Sequence, residues 1–279
     1  MLKTKILNIG LFAFFIALVG CNKDKQSITD QNSSSVKSDK NIDEQVINVF
    51  DTDLTVDFNF IPSSTTGVVI QRDSYSFSYN EEHEQSEWVA YVLTKEDVKY
   101  HKYTRPYFTQ DPMVTTGSAD WKNYKNVVYN KGHLLPAADR RKNFKEYKET
   151  FFTSNISPQL PKFNSGVWNR LEEKVRYWAI KYDSLYVVTG GVLENNLPTI
   201  GYENVSVPKY FYKVLLTKDA SKMIGFLVPH KDSDLPLYEF VTSVDSIEKM
   251  TGINFFEKLP LDLQNKLEKS TSYKQWSFD

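Results

Sequence analysis

Three polar side chains near the middle of the chain are of types that metal-assisted hydrolysis needs. His133 follows a glycine at a predicted strand end, Asn164 stands where a helix is predicted to begin, and Glu172 lies eight residues later. Eight residues are about two helical turns, so Glu172 falls on roughly the same side as Asn164. An imidazole, an amide oxygen and a carboxylate around one point would form a hard-cation site with a proton acceptor beside it.

Two of these residues also have an ordinary structural interpretation. Asn is among the best helix N-cap residues, and capping alone would account for Asn164. His133 could equally be a polar residue of a loop. The spacing by itself does not establish that the three side chains converge.

A cluster of cations follows His133. From Trp121 to Thr150 there are eight Lys and Arg residues against three Asp and Glu, a surplus of five. The net charge of the whole chain is −1, so an anion site must be local. Such a surplus is also typical of a solvated face. The alternative is that cations immediately downstream of His133 guide a polyanion by binding its backbone: Arg140, Arg141 and Lys142.

The elements predicted around these residues form a β-loop-helix unit within an α+β domain. Apolar residues in 164–182 recur at spacings of three and four, which indicates a helix packed on a core. A strand is predicted at 127–129, before His133, and another within 149–159. A further helix is predicted to stop at Gly252. The remaining β-rich runs are 74–80, 87–94, 184–193, 210–217 and 223–229, with His83 predicted to be exposed in the first turn.

The first part of the chain is predicted to be a targeting segment followed by a tether. Residues 1–21 have a cationic start and an apolar run that ends in "LVGC", which resembles a bacterial lipoprotein signal with Cys21 as the lipidated residue. Residues 22–50 are polar, with Phe50 as their first aromatic residue, and indicate a flexible tether. The folded domain is predicted to cover 51–279. These features predict a membrane-anchored lipoprotein of the cell envelope.

Composition limits the kinds of site that the domain can hold. Hydrophobic residues make up 41% of the chain and aromatic residues 14%, which indicates a well-filled core. Cys21 is the only cysteine, so its lipidation would leave none for a disulfide or a thiolate metal site. A zinc hydrolase is therefore disfavoured, and the chain also has no His-x-x-x-His pair.

An ordered set of motifs resembles the DNA/RNA non-specific endonuclease family. The segments are "YNKGHLLPAADR", "SNISPQ" and "NSGVWNRLEEKVR". They occur in the order of that family's D-R-G-H, S-N-[IM]-[ST]-P-Q and N-x-x-x-W-x-x-L-E motifs, and the similarity extends over about residues 65 to 260. The resemblance implies an α+β fold in which a central, mostly antiparallel sheet carries a ββα-metal finger active site.

The resemblance also implies an activity. It implies a sequence-non-specific endonuclease that hydrolyses DNA or RNA to 5′-phosphate ends, with Mg²⁺ as cofactor and Mn²⁺ as a substitute. His133 would be the general base, Asn164 the metal ligand, and Glu172 would hold a water on the metal. Arg105 and Lys131 would stabilise the transition-state phosphate. Asn155 would orient the site, although a purely structural hydrogen bond explains it nearly as well.

One position departs from the family pattern. The usual Asp-Arg before Gly-His is Asn130-Lys131 here. Lysine keeps the positive charge but cannot clamp a phosphate with two parallel hydrogen bonds as arginine does. The substitution bears on the rate and the positioning of the substrate more than on activity itself.

Two other functions fit the same sequence. One is a lipid-anchored nucleic-acid-binding protein that has lost turnover, and the other is a phosphodiesterase that acts on small nucleotides. The presence of His133, Asn164 and Glu172 together favours an enzyme, because binding needs no such combination. The sequence leaves open DNA or RNA preference and a homodimer.

Overall fold

A computed structural model describes residues 59–99 and 101–278. These residues belong to one compact unit that spans Phe50–Asp279. The predicted signal at 1–21, with Cys21, and nearly all of the predicted tether lie outside the described residues. Among the helices that are described, none is long and apolar enough to cross a membrane.

The centre of the domain is a seven-stranded sheet in which every neighbouring pair is antiparallel, as the resemblance implied. Its strand order is β1-β2-β3-β6-β9-β10-β11, and β4 with β5 and β7 with β8 form two separate ribbons. The strands are β1 Val69–Gln71, β2 Ser76–Asn80, β3 Gln85–Thr94, β4 Asn130–His133, β5 Ile156–Gln159, β6 Ser184–Gly191, β7 Thr199–Ile200, β8 Val205–Ser206, β9 Tyr210–Thr217, β10 Met223–Pro229 and β11 Val241–Thr242.

Within the described residues, five α-helices and several single turns surround the sheet. The helices are α1 Phe144–Glu149, α2 Pro161–Phe163, α3 Asn169–Lys181, α4 Val244–Thr251 and α5 Leu261–Glu268. A π-helical turn, Asn164–Trp168, connects α2 to α3. The 3₁₀ turns are Trp121–Tyr124, Ala137–Arg140, Thr153–Asn155, Leu237–Phe240 and Tyr273–Gln275.

Both faces of the sheet are covered, because side chains alternate along each central strand. In β9, Phe211 and Leu215 join the apolar cluster that also contains Leu171 and Val175 of α3. Tyr212, Val214 and Leu216 join a second cluster on the other face, which includes residues of α4 and α5. The sheet therefore separates α3 from α4 and α5.

Most of the predicted elements are confirmed, and two details are wrong. Strands β9 and β10 coincide with the predicted 210–217 and 223–229, and Gly252 ends α4 at a φ of +72°. The strand predicted at 127–129 begins only at Asn130. His83 is only 6% exposed, not a solvated loop residue, because its Nδ1 hydrogen-bonds to Ser206 Oγ at 2.9 Å.

Candidate active site

The predicted β-loop-helix unit is a ββα motif. β4 pairs antiparallel with β5, and the chain then passes through α2 and the π-helical turn into α3. Gly132 is opposite Ser157 in this hairpin, and a Cβ at Gly132 would lie 2.2 Å from Gln159 Oε1. Only glycine leaves room for the Gln159 side chain, which explains the glycine before His133.

His133 ends β4 among aromatic rings. Its ring centroid lies 5.0 Å from that of Phe151 and 5.5 Å from that of Phe108. The side chain is half-buried, and Nε2 is buried without a hydrogen-bond partner among the described residues. Burial, with a smaller contribution from the positive charge of Arg105, lowers the pKa of His133 to about 3. The imidazole is therefore neutral at physiological pH.

Two cations share this aromatic surface with His133. The Arg105 guanidinium carbon lies 5.4 Å from the Phe108 ring centroid and 5.6 Å from that of Phe151. Lys131 Nζ lies 5.5 Å from the same Phe108 centroid. Burial and the charge of Arg105 both lower the pKa of Lys131, which places the two cations near each other. Arg105, Lys131 and His133 thus come together around Phe108.

Asn155 fixes the loop that follows His133. It is fully buried, and its Oδ1 accepts from the backbone N–H of Leu135 at 2.8 Å while its Nδ2 donates to the carbonyls of Leu135 and Thr150, each at 2.9 Å. The backbone N–H of Leu134 also donates to the Asn155 carbonyl at 2.9 Å. All donors and acceptors of this carboxamide are directed to backbone, so Asn155 acts on the site through the loop.

Asn164 is not a helix N-cap. It lies inside the helical segment, where its backbone is α-helical and its N–H donates to the Leu160 carbonyl at 2.9 Å. The structural interpretation of Asn164 as a cap is therefore wrong. Its carboxamide is half-buried and has no hydrogen-bond partner among the described residues. The amide oxygen is thus available to a ligand.

The turn that carries Asn164 departs from a regular helix. Gly166 has φ −100° and ψ −110°, outside helical values, and marks a kink between Asn164 and α3. Such π-type turns often occur at functional sites. The kink also means that regular helix geometry does not give the angle between Asn164 and Glu172, contrary to the two-turn argument from the sequence.

A histidine that the sequence did not single out holds the start of this helical segment. The backbone N–H of Leu160 donates to His230 Nε2 at 2.7 Å, and His230 Nδ1 is 2.9 Å from the Pro208 carbonyl. The carbonyl can only accept, so Nδ1 carries the proton and Nε2 is the acceptor. The His230 ring also packs edge-on against Phe163 and Phe211. This arrangement connects the end of β10 to the residues just before Asn164.

A buried lysine interacts electrostatically with the third predicted site residue, Glu172. Lys213 in β9 is fully buried, and its Nζ lies 3.1 Å from Thr189 Oγ1 and 4.6 Å from the centroid of the Trp168 ring. Burial raises the pKa of Glu172, and Lys213 opposes that rise most strongly. Burial likewise lowers the pKa of Lys213, opposed chiefly by Glu172. The two groups therefore stabilise each other's charge.

An ion pair of α3 lies next to these groups in the chain. Arg176, one turn after Glu172 in α3, donates to Asp139 at 2.9 Å. The other carboxylate oxygen of Asp139 accepts from the Tyr91 hydroxyl at 3.1 Å. Asp139 belongs to the loop after His133, so the pair ties α3 to that loop.

The prediction that Arg140 binds substrate is wrong. Its side chain is 2% exposed and donates to the carbonyls of Asp139, Ser74 and Val92. Its guanidinium also lies 5.0 Å from the Tyr91 ring centroid. These contacts bury the charge inside the domain, where a polyanion cannot reach it. The adjacent cations differ, since Arg141 is half-buried and Lys142 is exposed.

The oxygen donors of this region suit a hard cation. Asn164 offers an amide oxygen, Glu172 a carboxylate, and Mg²⁺ is typically held by few protein oxygens with several waters. A neutral imidazole and two cations are grouped around Phe108 at the end of β4. This combination can deprotonate a water and bind a phosphodiester, which is the chemistry of phosphate-ester hydrolysis.

Comparison with known proteins agrees with this chemistry. A family model described as DNA/RNA non-specific endonuclease matches residues 59–262. Nuclease C1 of Cunninghamella echinulata var. echinulata is 29% identical over 225 residues, which are 73% of this chain and 88% of that protein. Mitochondrial endonuclease G of Homo sapiens is 30% identical over 201 residues, covering 66% of this chain and 68% of that protein.

A solved structure has the same fold. It is a crystal structure of a complex of EndoG with EndoGI, described in terms of the mechanism of EndoG inhibition. The match has a TM-score of 0.64 and 30% sequence identity, and it covers 69% of this chain and 86% of that one. Both kinds of similarity therefore cover about two thirds or more of the chain.

Proposed function

The chain belongs to the DNA/RNA non-specific endonuclease family, and on that basis we propose that it is an Mg²⁺-dependent endonuclease that leaves 5′-phosphate ends. Membership makes it a hydrolase that acts on nucleic acids. The observation that most directly supports the proposal is the grouping of His133, Arg105 and Lys131 around Phe108.

Asn164 is the residue that would hold the metal. Its carboxamide lacks a hydrogen-bond partner among the described residues, and the turn that it begins is kinked at Gly166. When bound, Mg²⁺ neutralises charge on the phosphate and favours departure of the 3′ oxygen. Mn²⁺ has the same preference for oxygen ligands and is the expected substitute.

His133 would take the proton from the attacking water. A general base must be unprotonated, and the lowered pKa of His133 leaves its imidazole neutral throughout the physiological range. That low pKa makes it a weak base in the free protein. An anionic phosphate bound nearby would raise the pKa toward the value that proton transfer favours.

Arg105 and Lys131 would bind the phosphate as its negative charge develops. Lys131 stands where the family pattern has arginine, and it acts as a point charge because an ammonium lacks the planar fork of a guanidinium. Arg105 supplies that fork from the loop before the hairpin. Attack by water on phosphorus, in line with the 3′ oxygen, would break the bond between phosphorus and that oxygen. The phosphate would then remain on the 5′ end of the product.

Glu172 would orient water near the metal, and the charge of Lys213 would oppose protonation of Glu172. A buried carboxylate without a compensating cation tends to bind a proton and then loses part of its ability to accept hydrogen bonds. Lys213 supplies the compensating charge from β9. Arg141 and Lys142 remain the residues expected to contact the nucleic-acid backbone.

A cleavage assay tests this function. Circular DNA and RNA would each be incubated with the full chain in Mg²⁺, in Mn²⁺ and in EDTA. We expect both metals to support cleavage, EDTA to stop it, and the linear products to be ligated without prior phosphorylation. Binding of DNA without cleavage would favour a binding protein, and hydrolysis of a chromogenic diester alone would favour a small-nucleotide phosphodiesterase.

We further propose, from the sequence of residues 1–50, that Cys21 is lipidated and tethers the domain to a membrane of the cell envelope. Cys21→Ser should lose incorporation of labelled lipid and shift the protein out of the membrane fraction or leave it unprocessed. Cleavage by the variant should equal that of the parent. Lipid labelling that persists in Cys21→Ser would contradict the anchor.

A further inference from the structure

Three carboxylates meet on the face of the sheet opposite α3. Asp245 and Glu248 lie one turn apart on α4, and Glu268 ends α5. One carboxylate oxygen from each residue lies within 4.8 Å of the other two. Three negative charges at this separation repel one another unless a cation or protons compensate them.

Glu268 shows that this cluster differs from an ordinary solvated acidic surface. The residue is 5% exposed, and its Oε1 is buried with no hydrogen-bond partner among the described residues. A buried acceptor without a partner costs free energy. Burial raises the pKa of Glu268 to about 7; a hydrogen bond with Gln264 opposes the rise, and the negative charges of Glu248 and Asp245 add to it.

The rest of the cluster is open enough to admit an ion. Asp245 and Glu248 are half-buried, so the group is accessible from one side. Glu248 Oε1 accepts the backbone N–H of Phe255 at 2.8 Å, which fixes that carboxylate and leaves its second oxygen for another contact. This hydrogen bond ties α4 to the segment that leads to α5.

We propose that Asp245, Glu248 and Glu268 bind one Ca²⁺ ion that joins α4 to α5. All three donors are carboxylate oxygens, which Ca²⁺ accepts in monodentate or bidentate form with water in the remaining positions. Bound Ca²⁺ gives the orphaned Glu268 oxygen a partner and removes the repulsion. The ion stabilises the fold and takes no part in hydrolysis, because the sheet separates it from His133 and Asn164.

Thermal unfolding of the full chain tests the site. The measurements use an Asn164→Ala background, which weakens the binding of an ion at the proposed active site. A ligand that binds only the folded state raises the melting temperature as its concentration increases. We expect millimolar Ca²⁺ to raise the melting temperature of the parent by several degrees. In the absence of Ca²⁺, Glu268→Gln should have a higher melting temperature than the parent. Adding Ca²⁺ should not raise the melting temperature of Glu268→Gln.

Two further variants make the result specific. Asp262→Asn removes an exposed carboxylate from α5, the helix that carries Glu268. In this variant Ca²⁺ should raise the melting temperature as much as in the parent. Asp245→Asn changes a half-buried residue that is less important for packing, and it should weaken Ca²⁺ binding even if Glu268→Gln folds poorly. Equilibrium dialysis should give one Ca²⁺ per chain. No thermal shift in the parent, or an equal shift in Asp245→Asn and Asp262→Asn, would overturn the site and would imply that Glu268 is simply protonated.

Discussion

The backbone N–H of Leu160 donates a 2.7 Å hydrogen bond to Nε2 of His230. Leu160 directly precedes α2, and Asn164 follows that helix, so the bond fixes where the helical segment with the proposed metal ligand begins. The position of Asn164 therefore depends on a residue at the end of a distant strand.

Replacing His230 by Phe should lower stability without removing the ring packing. Phe keeps an aromatic ring against Phe163 and Phe211 but cannot accept the Leu160 N–H. Loss of that acceptor should lower the free energy of unfolding by roughly 1–3 kcal/mol in urea denaturation. The control His101→Phe changes an exposed histidine and should stay within about 0.5 kcal/mol of the parent.

The contribution of His230 should also depend on pH. Burial lowers the pKa of His230 in the folded protein below its ordinary value of 6.5. Below pH 6.5 the unfolded chain therefore binds a proton on this residue more readily than the folded chain does. The stabilisation by neutral His230 is complete above pH 6.5 and is lost as the pH falls through the lower, folded-state pKa. The stability difference between parent and His230→Phe should therefore shrink from pH 7 to pH 5; a constant difference would contradict this.

His133→Ala and Asn164→Ala should fail in different ways. Loss of a general base typically slows catalysis on the order of 10²- to 10⁴-fold, so His133→Ala should bind DNA nearly normally and cleave slowly at every Mg²⁺ concentration. Asn164→Ala should instead need more Mg²⁺, with activity that recovers at least partly as Mg²⁺ rises. The measurement is cleavage rate against Mg²⁺ concentration, and identical curves for parent and Asn164→Ala would refute the ligand assignment.

Lys213→Met should make cleavage more sensitive to acid. Burial already raises the pKa of Glu172 to about 7, and without the lysine charge that pKa rises further, so that the carboxyl holds its proton at neutral pH. Activity should fall at pH 7 and recover as the pH is raised, which moves the acid limb of the pH–rate profile upward. In Glu172→Gln the same lysine replacement should add little, because the group that it controls is gone.

Two results would count against that role for Lys213. One is a uniform loss of activity at all pH values in Lys213→Met, which would indicate a packing defect. The other is a similar shift of the profile in the control Lys209→Met, an exposed lysine that pairs with Glu194 at 3.0 Å.

The sequence predicted those features that depend on local pattern. Period-two strands, the period-3.6 face of α3 and the glycine stop at Gly252 all follow from short-range rules, and the structure has them. The grouping of Arg105, Lys131 and His133 followed only from an ordered set of motifs, since no spacing rule brings residue 105 to residue 133.

The residues that the sequence analysis misjudged or missed have a common physical cause: tertiary contacts decide whether a charged side chain is buried. Arg140 stands among cations that look like a surface patch, yet backbone carbonyls from three places hold it in the core. Lys213 stands among the apolar residues of β9, and strand alternation directs it inward. A lysine at an inward position of a buried strand was a usable signal, since such a residue is rarely buried without a partner. His230 offered no local signal at all.

The order of the strands along the chain implies at what stage of folding the proposed active site can form. β3 pairs with β6 at Val89 opposite Thr189, and Lys213 and Arg105 are 108 positions apart in the chain. Contacts between such distant segments form slowly, because a long loop must close before any of them is gained. A chain that has been synthesised only as far as α3 lacks β6 and β9, and hence the counter-charge that Lys213 supplies. Nuclease activity should therefore emerge late in folding, together with closure of the whole sheet.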